Sequence, residues 1–135
     1  MSRPRNTKQR QLILEVLRGT TAHPTADWVY QQVRAVLPNV SLGTIYRNLG
    51  VLKEQELIQE VRYPGSQARF DGNPEPHYHF FCLNCDRIED VPLPFCRDAE
   101  EAFRQKLPEY EVMGHNTEFF GLCPDCKDLA ERREQ

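Results

Sequence analysis

The sequence predicts an α+β chain in two parts. A winged helix-turn-helix domain over residues 1–71 comes first, then a linker at 72–76, then a small α/β domain with a four-cysteine zinc site over 77–135. Three observations predict this. Three stretches of helical apolar spacing are followed by a Pro-Gly turn between two short extended segments. The pentapeptide GNPEP, residues 72–76, then interrupts every pattern. Beyond it stand two C-x-x-C pairs, 37 residues apart.

The first helix is expected from Thr7 to Arg18, with Leu12, Ile13, Val16 and Leu17 on one face and Gly19 as its stop. The second is expected to start at the N-cap Thr25. It carries the stripe Ala26, Val29, Val33, Val36 and Leu37 and is closed by Pro38. The third, SLGTIYRNLGVLKE over 41–54, has Ser41 as N-cap and Leu42, Ile45, Leu49 and Leu52 facing inward. Its other face shows Gly43, Tyr46, Arg47, Gly50 and Lys53, with no acid before Glu54. Each glycine costs the helix roughly 1 kcal/mol and lets it approach another surface closely. One arginine and one aromatic on such a face suit the major groove of DNA; an ordinary amphipathic helix is the plainer alternative. LIQEVRY (57–63) and QARFD (67–71), joined by PGS, read as a hairpin.

Composition bounds the function. Apolar residues make up 39% of the 135 residues, enough for modest cores. No run is apolar enough to span a membrane, and MSRPRNTKQR lacks the apolar stretch of a signal peptide. The expected compartment is the cytoplasm. Thiols stay reduced there, so five cysteines point to metal rather than to disulfides. Charge is split along the chain: residues 1–53 hold eight basic and two acidic side chains, and residues 54–135 hold nine basic and eighteen acidic ones. A basic module that meets a polyanion and an acidic one that does not is the simplest account.

In the second part, HYHFFC and RIEDV are expected strands flanking the first knuckle. FCRDAEEAFRQKL (95–107) is an expected helix with Phe95, Ala99, Phe103 and Leu107 inward. EVMGHNTEFFGLC (111–123) is an expected strand, and KDLAERREQ a frayed helix. Cys82, Cys85, Cys123 and Cys126 give two tight turns that close a tetrahedral thiolate shell, the pattern of a structural zinc. His77 and His79 share one strand face, whereas Cys82 has the opposite parity, so the histidines belong to a second site. Its candidate carboxylates are Asp71 and either Glu89 or Asp90, which parity does not separate. His23 and His115 read by themselves as ordinary histidines, and Cys96 as a small semi-buried residue.

AHPTADWVY, SLGTIYRNLGVL, RFD, HYHFFCLNC with RIEDV, and GLCPDC together resemble the Fur superfamily of metal-dependent bacterial repressors, in order and over nearly the whole chain. The resemblance implies an N-terminal winged helix and a C-terminal dimerisation domain with a four-cysteine zinc site. It implies a regulatory Fe(II) or Mn(II) site made of His23, Asp71, His77, His79 and Asp90. It also implies minor-groove contact by Arg5, base and backbone contacts by Tyr46 and Arg47, and a homodimer on a palindromic, A/T-rich operator. Two Asp ligands with this H-Y-H pattern are most like the peroxide-sensing PerR branch, in which Fe(II) and peroxide oxidise a ligand histidine, here the match His23 or His79.

A further site of some members would use His115, but Pro76 and Tyr78 stand where its other ligands belong. The segment before Thr7 is too short for the extra N-terminal helix of many members. The alternative within the family is an iron- or manganese-responsive uptake regulator. The alternative outside it is a zinc enzyme of the deaminase kind, which needs H-x-E and P-C-x-x-C around an open zinc. This chain has HYH, FC and LC instead, so no enzyme activity, no small organic substrate and no membrane partner are expected.

Overall fold

The computed structural model describes residues 8–63 and 65–133. The chain divides into two compact units, the first ending at Glu75 and the second beginning at Pro76.

The first unit holds α1 (Lys8–Arg18), α2 (Ala26–Arg34), α3 (Leu42–Glu54), β1 (Gln59–Val61) and β2 (Arg69–Asp71). Thr25 Oγ1 accepts the Trp28 N–H at 3.3 Å and Ser41 Oγ accepts the Thr44 N–H at 3.1 Å. Both expected N-caps are therefore in place, each satisfying a helix N–H that lacks an intrahelical acceptor. α2 ends sooner than its stripe suggests: Val36 is exposed, and the Leu37 N–H turns back to the Val33 carbonyl at 2.8 Å. Ile13, Leu17, Val29, Val33, Ile45, Leu49, Leu52 and Phe70 form the core. Each such burial stabilises the unit by about 1.5–3 kcal/mol.

The hairpin is antiparallel, with Gln59 opposite Asp71 and Val61 opposite Arg69. Its strands are three residues each, shorter than the two extended segments of the sequence. The Phe70 N–H donates to the Pro24 carbonyl at 2.9 Å, which ties β2 to the loop ahead of α2. Gly72 then runs against the end of α1. A Cβ at this position would lie 2.8 Å from the carbonyl carbon and oxygen of Leu17. Backbone cannot yield as a flexible side chain can, so Gly72→Ala is expected to destabilise this unit by about 1–3 kcal/mol. Urea denaturation followed by helical circular dichroism measures it.

The second unit holds β3 (Tyr78–Cys82), β4 (Ile88–Val91), α4 (Asp98–Lys106), β5 (Glu118–Gly121) and α5 (Pro124–Arg133). The sheet order is β4-β3-β5, with β4 antiparallel and β5 parallel to β3. A parallel neighbour requires a long crossover, and the segment containing α4 supplies it. Three expectations are corrected here. The strand expected over 111–123 forms only at Glu118–Gly121; the tail is helical as expected, within α5. α4 does not turn its apolar side inward: Ala99, Phe103 and Leu107 are exposed, while Glu100 is buried. A three-stranded sheet in one chain offers no second layer for that side of the helix. Cys96, expected to be semi-buried, is exposed.

Candidate metal centres and nucleic-acid face

The first knuckle is the β3–β4 turn. The Cys82 N–H donates to the Arg87 carbonyl at 2.9 Å, and the Asp86 N–H to the Cys82 carbonyl at 3.0 Å. The second knuckle is the start of α5. Pro124 occupies the first helical position, where a missing N–H costs nothing, and the Lys127 N–H closes onto the Cys123 carbonyl at 2.8 Å. The Leu83 N–H reaches the Gly121 carbonyl at 2.8 Å and joins the two knuckles. The four sulfurs lie within 4.8 Å of one another, and Cys85 and Cys123 are 3.9 Å apart. Zinc–thiolate bonds of about 2.3 Å make a tetrahedron of edge about 3.8 Å, so the set fits one zinc with no open position.

The electrostatics agree with a metal cradle. Burial opposes the Cys82 thiolate, but the backbone N–H groups of Cys123, Cys85 and Asn84 outweigh it and hold the thiol at about 6. At Cys126 the Asn84 amide, 3.2 Å away, favours the thiolate. Burial and the other three cysteines override that amide and push the thiol up to about 12. Cys85 is also raised: the N–H of Arg87 favours its thiolate, but burial and the Cys82 and Cys123 thiols prevail. Without a cation Cys82 ionises readily, whereas Cys85 and Cys126 resist it. A divalent ion supplies the missing charge and displaces the other protons.

The His/Asp residues form one group in each unit. In the first, His23 Nε2 lies 3.6 Å from Asp71 Oδ2, and both side chains are buried. His23 stands in the loop before α2 with φ 51°, a left-handed backbone that costs a non-glycine residue about 1 kcal/mol or more. Arg69 Nη1 donates to its carbonyl at 3.4 Å, and the bond from Phe70 to Pro24 fixes the same turn. Asp71 ends β2, beside that turn. In the second unit, His77 Nε2 lies 2.8 Å and His79 Nε2 3.6 Å from Asp90 Oδ1. The two rings stand 4.3 Å apart, on one face of the strand.

Register separates the two candidate carboxylates. Asp90 pairs across the strands with His79, whereas Glu89 pairs with Phe80 and engages Arg87 at 3.2 Å. His115 is engaged elsewhere in the second unit, with Nδ1 3.2 Å from the buried Glu100 and its ring stacked on Phe95 at 4.8 Å. Sequence reasoning gave Glu100 no part. An acid at an i+1 step from Ala99 on an amphipathic helix carries no signal of burial.

On α3, Tyr46 and Arg47 are exposed, and Arg47 Nη2 donates to Thr44 Oγ1 at 3.0 Å. Arg5 lies outside the described residues. A Cβ at Gly50 would meet nothing within 4 Å, and at Gly43 only Arg47 Nη1 at 3.7 Å. The fold therefore requires neither glycine. Gly50→Ala is expected to raise thermal stability by about 0.5–1 kcal/mol, read as a higher Tm.

The Ferric uptake regulator family profile matches residues 2–120. The chain is 40% identical over 124 residues to the peroxide-responsive repressor PerR of Staphylococcus aureus, covering 92% of this chain and 83% of that protein. Among solved structures, the Campylobacter jejuni peroxide stress regulator superposes with TM-score 0.71 at 29% identity, covering 87% of this chain and 88% of that one. The Helicobacter pylori ferric uptake regulator Fur superposes with TM-score 0.76 at 24% identity, over 91% and 82% of the two chains, and speaks for the fold.

Proposed function

Since the chain belongs to the ferric uptake regulator family, we propose that it is a metal-dependent DNA-binding repressor that responds to hydrogen peroxide. The observation that carries this reading is the pair of sulfur-free donor groups, His23 with Asp71 and His77 with His79 and Asp90. They occur in a chain 40% identical to a peroxide-responsive repressor. Two donors in one unit and three in the other are each too few for a tight site. Together they make three nitrogens and two carboxylates, a set suited to Fe(II) or Mn(II). Cys82, Cys85, Cys123 and Cys126 hold a structural zinc.

One ion held by both groups would couple the DNA-binding unit to the dimerising one and select the spacing of two recognition helices. Tyr46 and Arg47 on α3 would face the operator, with Arg5 in the adjacent minor groove. The homodimer would form through the second unit, where Phe119 and Phe120 lie exposed on β5, at the edge of the sheet. The chain acts in the cytoplasm, where its thiols stay reduced. Ferrous ion held by His23, Asp71, His77, His79 and Asp90 would supply the redox chemistry that activates peroxide, with peroxide itself the net oxidant. Net, one peroxide oxygen is added to a ligand imidazole, His23 or His79, and the other leaves as water. The oxidised ring is a poorer ligand, and the operator is released.

Anaerobic fluorescence anisotropy on a palindromic, A/T-rich operator tests the reading. Mn(II) should tighten binding by about a hundredfold or more over the chelated protein, the upper range of allosteric coupling. Equal affinity with and without metal would overturn it. An Fe(II) complex that keeps its operator through peroxide would instead mark an iron- or manganese-responsive regulator.

A further inference from the structure

Residues 72–75 are bound down within the first unit. Asp71 Oδ1 accepts the Asn73 N–H at 2.9 Å, and Asn73 Oδ1 accepts the Glu75 N–H at 3.1 Å, two Asx turns in succession. Gln59 closes the arrangement from the opposite strand. Its Nε2 donates to the Asn73 carbonyl at 2.7 Å and to the Glu75 carbonyl at 3.2 Å. Gln59 is placed for this by register, since it lies directly opposite Asp71 and so beside the segment that leaves β2. Gly72 allows the chain to press against α1 at the start of the same segment. After Glu75, Pro76 alone separates this fixed stretch from His77, and a proline fixes its own φ.

We infer that Gln59 is a positioning residue for the regulatory metal: by fixing residues 73–75 it confines the pivot between the units to Pro76 and narrows the range His77 can sample. This rests on the proposal that both donor groups share one ion. A freely jointed 72–76 segment would have to be ordered each time metal binds, and that entropy would be subtracted from metal affinity. A segment ordered beforehand keeps the loss small. Asp71 serves both ends of the device, with Oδ2 towards His23 and Oδ1 on the segment. The Gln59 amide binds the Asn73 and Glu75 carbonyls, so it acts through that segment.

The test uses the full-length, zinc-loaded protein and three chains: the native one, Gln59→Met and His77→Ala. Gln59→Met keeps length and removes the donor. Three quantities are read: amide hydrogen exchange at residues 73–75, Mn(II) affinity, and operator affinity at saturating Mn(II). Gln59→Met is expected to speed exchange at residues 73–75 and to weaken Mn(II) binding by about threefold to tenfold. Saturated operator affinity should stay within about twofold, a separation that general destabilisation would not produce. Unchanged exchange, or faster exchange with unchanged Mn(II) affinity while His77→Ala lowers it, overturns the role of Gln59. Unchanged Mn(II) affinity in His77→Ala overturns the shared site itself.

Discussion

Replacing Cys123 by serine is expected to remove the bound zinc and, with it, the cooperative unfolding of the second unit. The unit has a small apolar core. Its three-stranded sheet and two helices are tied together at the knuckles, where Cys82, Cys123 and Cys126 are buried against Phe80. A closed thiolate site contributes folding free energy on the order of 10 kcal/mol in small domains, more than such a core can replace. Differential scanning calorimetry of the variant should lose one transition, and the dimer should dissociate in sedimentation. A transition that persists without zinc would contradict a structural role.

Acid should act in the same direction. Cys85 and Cys126 resist ionisation in the metal-free cluster. Zinc uptake at neutral pH must therefore displace their protons, whereas Cys82, at about 6, is already largely a thiolate. Zinc affinity is expected to fall as the pH is lowered, with protons released on loading, measurable with an indicator dye in weak buffer.

His23→Asn is expected to lower Mn(II) affinity, and with it metal-dependent operator binding, by at least about a hundredfold. Loss of a residue that merely supports a ligand costs ten- to a hundredfold, and His23 is proposed as a ligand itself. Asparagine is the informative replacement because it tolerates the left-handed backbone at φ 51°, so the turn that also carries Pro24 is kept. Helical circular dichroism should be unchanged. If operator binding with Mn(II) is retained, His23 is not a ligand and the five-donor site is wrong.

Much of this was readable from the sequence where local chemistry decides the outcome. Thr25 and Ser41 mark helix starts because a hydroxyl next to an apolar-periodic run has few other places to bond. C-x-x-C brings its two thiols together, at a turn for Cys82 and Cys85 and at a helix start for Cys123 and Cys126. The family resemblance implied that His23, buried beside Asp71, belongs with the proposed metal ligands. What the sequence could not supply depended on tertiary partners. Asp90 and Glu89 differ only by register, which the knuckle between Cys82 and Arg87 sets. The apolar side of α4 is readable as apolar, yet within one chain Phe103 and Leu107 find no layer to cover them. Glu100 is buried because Arg97 and His115 reach it, at 3.6 and 3.2 Å, and no periodicity encodes that meeting. The ordering of residues 72–75 escaped for the same reason. Two prolines and a glycine read as a break, but Gln59 on the neighbouring strand binds the break down.

The most direct measurement is anaerobic operator binding by the zinc-loaded dimer with Fe(II) and with Mn(II), each before and after a small excess of hydrogen peroxide, with peptide mass analysis alongside. The account predicts that both metals support binding and that only the Fe(II) complex dissociates. A peptide holding His23 or His79 should then have gained one oxygen. Persistence of both complexes with unmodified histidines would contradict it.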